Sequence, residues 1–378
     1  MIYFDNAATT FFKPQEALDG LKKAVTLLPV NPNRSFNELT NELSEEIFST
    51  RKALADMVGL NNPANVVFGQ NCTDALNLAI LGGIRVKGSH VITSVLEHNS
   101  VLRPLKMLER SGNISLTVLE PDKNMIISPE KVLNALLPAT RMVVLAQTSN
   151  VLGATQPVAE IGRICRRNGV TFVIDAAQSA GYIPLNMEKD CVDMVALPAH
   201  KGLHGIAGLG ALCFNEKSKP NPIRLGGTGT QSHMLTQPTD SPEGFESGTV
   251  NSPAILALKG ALTWWNSNHV EFNEHMKLVM DTIRNGLTNL KRVKVLSVPN
   301  DSGIISFEVL GSDSQEIADA LARDYKIATR GGLHCAPLCH NFLGTSRTGL
   351  VRISVSGANT QEEAYAFLNA MEQIVKKI

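Results

Sequence analysis

Aromatic residues are scarce in this chain of 378 residues, only 5% of the total, and six cysteines are all it has. So few cysteines, with no export signal, exclude a disulfide framework. Cys72, Cys165, Cys191, Cys213, Cys335 and Cys339 are expected to be reduced, most of them as small core residues. Net charge is also missing: 35 Lys and Arg balance 35 Asp and Glu, so nothing draws the chain to nucleic acid or to an anionic membrane. No apolar run approaches the ~18 residues of a membrane span. The opening MIYFDNAATT has neither the basic head nor the apolar stretch of a signal peptide, so a cytoplasmic protein with small-molecule partners is expected. The phosphate-binding patterns GxxxxGK[ST] and GxGxxG are absent, which argues against a P-loop NTPase or a Rossmann dinucleotide site. Internal repeats and heptad series are lacking too, against filament and solenoid architectures. HCAPLCH (334–340) brings cysteine and histidine together, but no second pair stands at fixed spacing, and no metal is expected.

What is present is a rhythm. VVF (66–68), HVITS (90–94), MVVLAQ (142–147), VTFVID (170–175) and DMVAL (193–197) alternate with helical patterns, which predicts βαβ units and a mostly parallel sheet in an α/β fold. TDALNLAILGG (73–83) reads as a helix capped by its threonine, and PVAEIGRICRRNG (157–169) as one opened by proline and closed by Gly169. Residues 219–253 are rich in Gly, Pro, Ser and Thr and read as an irregular surface connection. A domain boundary is expected near 250–260. Beyond it, a long helix (254–292), the strand 303–310, a helix over 314–325, the strand 350–355 and a final helix predict a smaller α+β domain.

Sheets of this kind bind ligands at the carboxyl ends of their strands, and several polar residues fall there. Lys201, in PAHKGLHG, follows an apolar strand, where a solvated loop lysine is the ordinary alternative. Asp175 ends the strand VTFVID with Gln178 three residues on. A carboxylate so placed is either a cap or the partner of a cation such as a protonated pyridine nitrogen. GQNCT (69–73) forms a turn into a helix N-terminus, which offers N–H groups to an anion. EHNS (97–100) presents His98, and SNVLG (149–153) presents Asn150.

Together these residues resemble the class V, fold-type I pyridoxal-phosphate enzymes, and within them the cysteine desulfurases and selenocysteine lyases. The likeness covers nearly the whole chain: FDNAATT, GQNCT, EHNS, SNVLG, IDAAQSAG, AHKG, FESGTVN, RGGLHCA and VRIS occur in the family's order. It implies pyridoxal 5'-phosphate on Lys201, with Asp175 facing the pyridine nitrogen, Gln178 on the phenolic oxygen and His98 stacked on the ring. Thr73, His200 and the turn holding Cys72 would grip the phosphate, joined by Thr249 from a second subunit of a homodimer with shared active sites. Asn150, Arg352 and Arg330 would bind the substrate, Asn150 and Arg352 through its carboxylate. Cys335 would take the sulfur of L-cysteine as a persulfide and pass it to an acceptor protein, with Arg330 and His334 as neighbours able to favour its thiolate.

The family's two-part architecture implies a large domain over 14–253 and a small one formed by 1–13 with 254–378. Selenocysteine lysis, another class V reaction, and a non-catalytic sulfur carrier are the competing readings. Three departures from the family stand out: Pro198 where relatives carry serine, Cys72 where threonine is common, and NRSFN (33–37) without its terminal histidine.

Overall fold

The computed structural model of the chain describes residues 1–32 and 37–377. The NRSFN segment, but for Asn37, lies outside the described residues. The chain opens with β1 (Ile2–Tyr3), α1 (Gln15–Thr26) and α2 (Glu38–Val58). A βα succession follows: β2 (Val66–Gly69), α3 (Cys72–Gly83), β3 (Ser89–Ser94), α4 (Asn99–Arg110), β4 (Ile114–Leu119), α5 (Pro129–Asn134), β5 (Thr140–Ala146), α6 (Val158–Arg167), β6 (Thr171–Asp175), β7 (Met194–Pro198) and β8 (Gly210–Phe214). Then come α7 (Ser252–Asn289), β9 (Val293–Val295), β10 (Ile304–Val309), α8 (Ser314–Tyr325), β11 (Ile327–Ala328), α9 (Pro337–Leu343), β12 (Val351–Ser354) and α10 (Gln361–Lys377).

The seven-stranded sheet has the order β2-β8-β7-β6-β5-β3-β4. Every neighbouring pair is parallel except the two made by β8, which runs against both β2 and β7. The expected α/β class and mostly parallel sheet are therefore found. Strand β8, GALCF, was legible only as apolar sequence after the lysine. Alternate strand residues feed two cores: Ile92, Val143, Leu145, Phe172 and Ile174 pack on one face, and Val91, Met142, Val144 and Val173 on the other. Both faces are covered, so these strands read as continuous apolar runs rather than alternating ones. No helix among the described residues is long and apolar enough to cross a membrane.

The helix at 72–83 is capped differently from the expectation. Asn71 is the N-cap, its Oδ1 accepting the Asp74 N–H at 3.0 Å. Asparagine is as good a cap as any residue, so the helix starts two residues earlier and Thr73 lies inside it with its hydroxyl turned to other work.

The second part is built on the sheet β12-β10-β9. Phe4, just after β1, packs with Phe307, Ile353 and Phe367 in its core, and β1 pairs in parallel with β11. Helix α7 joins the parts: Ala254, Ile255 and Leu258 belong to the first core, Met276, Val279 and Ile283 to the second. It crosses α1 so closely that a Cβ on Gly260 would come within 1.9 Å of the Glu16 carbonyl oxygen. From β1 the chain runs beside β12, where the Ala7 N–H donates to Ser354 Oγ at 2.8 Å. That course brings residues 5–10 to the carboxyl ends of the large sheet.

Candidate active site

A cavity of about 240 Å³ opens at those strand ends. It is lined by residues carried from five of them: Cys72 and Thr73 after β2, His98 after β3, Asn150 after β5, Asp175 and Gln178 at β6, and His200 and Lys201 after β7. Arg330, His334 and Arg352 close it from the second part of the chain.

One end suits an anion. With Asp74 N–H given to Asn71, the N–H groups of Cys72 and Thr73 at the start of α3 have no acceptor among the described residues, and the helix dipole favours negative charge there. Gly210 of β8 makes this turn possible, since a Cβ on it would lie 2.3 Å from the Asn71 carbonyl carbon. Thr73 Oγ1 and Ser100 Oγ are 2.7 Å apart. His200 Nδ1 is buried without a partner, and burial pushes this imidazole down to about 4, so the ring is neutral. Pro198 does line the cavity and offers no hydroxyl.

The middle holds two oppositely charged groups that do not pair. Asp175 is 4% exposed. Its Oδ1 accepts the Ala177 N–H at 2.8 Å and the Cys72 thiol at 3.7 Å, and no ion pair satisfies it among the described residues. Burial raises its pKa, against the pull of the Ala177 N–H, Lys201 and Cys72. Lys201 lines the same cavity; its carbonyl accepts from Thr10 Oγ1 and the His204 N–H, Nζ is in no ion pair among the described residues, and burial lowers its pKa. Burying a carboxylate without a full partner is costly, so the site is built for something cationic beside Asp175. Gln178 commits Nε2 to the Ala7 carbonyl at 3.0 Å, which leaves one amide proton for the cavity. His98 is the N-cap of α4. Its Nδ1 accepts the Ser100 N–H at 3.1 Å, and burial, with Lys201 and nearby arginines, pushes it down to about 4. The ring is thus neutral, with its proton on Nε2.

At the far end two arginines sit side by side, because Arg330 and Arg352 exchange backbone hydrogen bonds of 3.1 and 2.8 Å. Arg352 is 1% exposed. Its Nη2 donates to Asp5 Oδ1 at 2.9 Å and its Nη1 to the Asn150 carbonyl at 3.1 Å, while Nε is buried without a partner. Asn150 spends an amide proton on the His334 carbonyl at 2.7 Å. Cys335 is the one cysteine of six that is not buried. It stands beyond the lining residues, with Arg330 Nη2 at 3.7 Å from Sγ.

Of the residues singled out in the sequence, Thr249 lies apart: it is exposed, does not line the cavity, and its hydroxyl accepts from Asn31 Nδ2 at 3.3 Å. His334 also departs from the expectation that it would charge Cys335. Its Nε2 donates to the Leu350 carbonyl at 3.0 Å, and burial pushes it down to about 2, so it carries no charge to offer. Sequence reasoning passed over Asp5, although FDNAATT was noticed, and Ser100, although it follows a histidine at a helix start. Nothing local reveals either contact, since Asp5 meets Arg352 across 347 positions.

Comparison with known proteins gives the same picture. The family model described as Aminotransferase class-V matches residues 2–367. A protein of Methanothermobacter thermautotrophicus named "Probable cysteine desulfurase" is 28% identical over 384 residues, covering 99% of this chain and 94% of that one. Cysteine desulfurase IscS of Vibrio atlanticus is 32% identical over 302 residues, covering 78% of this chain and 70% of its own. Among solved structures, the apo cysteine desulfurase of Thermococcus onnurineus superimposes with a TM-score of 0.91 at 29% identity, covering 100% of this chain and 95% of that one.

Proposed function

From the premise that the chain belongs to the class-V aminotransferase family, we propose that it is a pyridoxal-phosphate enzyme that converts L-cysteine to L-alanine and takes the sulfur onto Cys335. The observation that carries this reading is the unpaired Lys201 and Asp175 in one cavity, with an accessible thiol against Arg330 at its edge. The relatives named as cysteine desulfurases support the substrate.

The residues present fit the cofactor. Pyridoxal phosphate, when bound, supplies an electron sink that makes the α-proton of an amino acid removable. Lys201 would hold it covalently and, displaced by the substrate amine, would take that proton, a task suited to an amine whose proton affinity burial has lowered. Asp175 would face the pyridine nitrogen, Gln178 the phenolic oxygen, and the neutral His98 ring would lie against the face. Thr73, His200 Nδ1 and the open N–H groups of Cys72 and Thr73 would hold the phosphate. The loss of a hydroxyl at Pro198 leaves these groups to do so. Arg352 would receive the substrate carboxylate with its unpartnered Nε, backed by Asn150.

The sulfur step is then a displacement. Cys335 Sγ bonds to the substrate sulfur as the Cβ–S bond breaks, the electron pair stays with Cβ, and a proton delivered there together with a proton returned to Cα completes alanine. The enzyme is left as a persulfide for a sulfur-acceptor protein. The exposed Thr249 would reach the phosphate end of a second copy, making a homodimer with shared sites. In this reading the substrate end lies between a large domain, 14–253, and a small one made of 1–13 and 254–378, a division supported by the separate core around Phe4, Phe307 and Phe367. The test is to incubate the holoenzyme with L-cysteine, L-selenocysteine and L-cysteine sulfinate and to measure alanine from each. Alanine with a persulfide on Cys335 is expected from L-cysteine. Alanine from selenocysteine or sulfinate alone overturns the substrate assignment.

A further inference from the structure

The turn that carries Cys335 is held in an unfavourable conformation. His334 and Cys335 have φ of +50° and +57°, the left-handed region that residues with a Cβ enter at a cost. Two such residues in succession persist only where the surroundings hold them, and strain of this kind gathers at functional sites. Besides the turn's own Ala336 N–H to Leu333 carbonyl bond and the Arg330 contact with Sγ, three hydrogen bonds tie it down. The Asn99 N–H donates to the Cys335 carbonyl at 2.7 Å, His334 Nε2 donates to the Leu350 carbonyl at 3.0 Å, and Asn150 Nδ2 donates to the His334 carbonyl at 2.7 Å. The last comes from the side chain of another residue that lines the cavity, one that follows β5 of the large sheet. Asn150 is itself fixed, 7% exposed and with its carbonyl accepting from Arg352 Nη1 at 3.1 Å.

We propose that Asn150 is a positioning residue for the nucleophile: its side-chain amide sets the His334–Cys335 turn and so fixes where Sγ stands before substrate arrives. This goes beyond carboxylate binding. One amide proton holds the turn, and the residue also lines the cavity. Substrate contact and nucleophile placement therefore share a side chain, and Arg352, the carboxylate's other ligand, grips the same residue's backbone. The inference rests on the reading of Cys335 as nucleophile for its catalytic meaning. The contact itself does not.

The test compares wild-type holoenzyme with Asn150→Ala and Asn150→Asp. The first removes the amide, and the second keeps its size but sets an acceptor against a carbonyl. Without substrate, the rate of iodoacetamide alkylation at Cys335, followed by peptide mass mapping, is expected to rise about tenfold in both, the population shift that loss of one hydrogen bond produces. With L-cysteine, kcat should fall as well as KM rise. Alkylation within about twofold of wild type, with KM alone raised, overturns the proposal and leaves Asn150 a carboxylate ligand only. Should Asn150→Ala not fold, Asn150→Asp makes the same comparison. The alkylation arm needs no turnover, so a wild-type enzyme that makes no alanine from cysteine sinks the desulfurase reading without deciding this one.

Discussion

Replacing Glu246 with alanine would strip the charge from a pair that ties the irregular 219–251 connection to the sheet. Arg51 and Glu246 side chains are each 6% exposed. They meet fork to fork, Nη1 to Oε1 at 2.6 Å and Nη2 to Oε2 at 2.5 Å, while Oε1 also accepts the Phe68 N–H at 2.6 Å. The guanidinium lies 4.6 Å over the Phe68 ring. Glu246→Ala therefore leaves a buried cation with no counter-charge, held only by the Val66 carbonyl at 2.5 Å from Nη1, and a buried Phe68 N–H without its acceptor. Removing one partner of a buried pair costs ~3–5 kcal/mol. At ~2.1 cal/mol/K of unfolding entropy per residue, a chain of 378 residues should lose about 4–6 °C in Tm. Replacing both partners, Arg51→Met with Glu246→Leu, should recover most of the loss, since no charge is then left buried; the Phe68 N–H keeps a residual penalty of ~1–3 kcal/mol. Circular dichroism melts at fixed pH and salt read both. A fall below about 1 °C in Glu246→Ala would refute the reasoning, because an unpaired guanidinium at this depth cannot be cheap.

Two further outcomes follow from the buried titratable groups. Burial pushes His98, His200 and His204 down to about 4 and His334 to about 2, from an ordinary 6.5. Below pH 6.5 the unfolded chain takes up protons that these folded rings refuse, so stability falls as pH drops toward 5. Glu97, which burial raises from 4.5 to about 8, and Asp175, whose carboxyl burial also raises, act in the opposite sense, but two carboxyls against four imidazoles do not reverse the trend. Melting temperatures across pH 5–8 that stay flat down to pH 5 would count against the neutral histidines. For Lys201, borohydride reduction of the yellow wild-type protein should fix the cofactor on this residue alone, and Lys201→Ala should purify without a covalently held cofactor. A label on any other lysine in the peptide map would dismiss the assignment.

How much of this was legible beforehand differs by element. The core strands announced themselves as apolar runs because helices cover both faces of the sheet, and Lys201, Asp175 and Gln178 were visible because they stand at the ends of such runs. Strand β8 escaped because Gly205, Gly208 and Gly210 break up the sequence leading into it, which leaves GALCF as a short apolar run with no start of its own. The start of α3 lies two residues before the expected one because Asn71 and Thr73 are both acceptable caps, and Asn71 is the one seated against Gly210. The substrate end was the least legible. Asp5 with Arg352 and Asn150 with the His334 carbonyl are separated by 347 and 184 positions, and hydrogen bonds of that range have no sequence periodicity to betray them.

The central claim, that Cys335 is the sulfur-accepting nucleophile, is tested most directly by alanine formation from L-cysteine in Cys335→Ala and Cys339→Ala. Cys339 is fully buried, and burial pushes its thiol up to about 12, so its loss should affect packing alone and leave turnover near wild type. Cys335→Ala keeps Lys201, Asp175 and His98. It should still bind L-cysteine with a change in the cofactor's absorption, yet release alanine more slowly by about three orders of magnitude or more. Substantial alanine release from Cys335→Ala, with its loss from Cys339→Ala, would contradict the account.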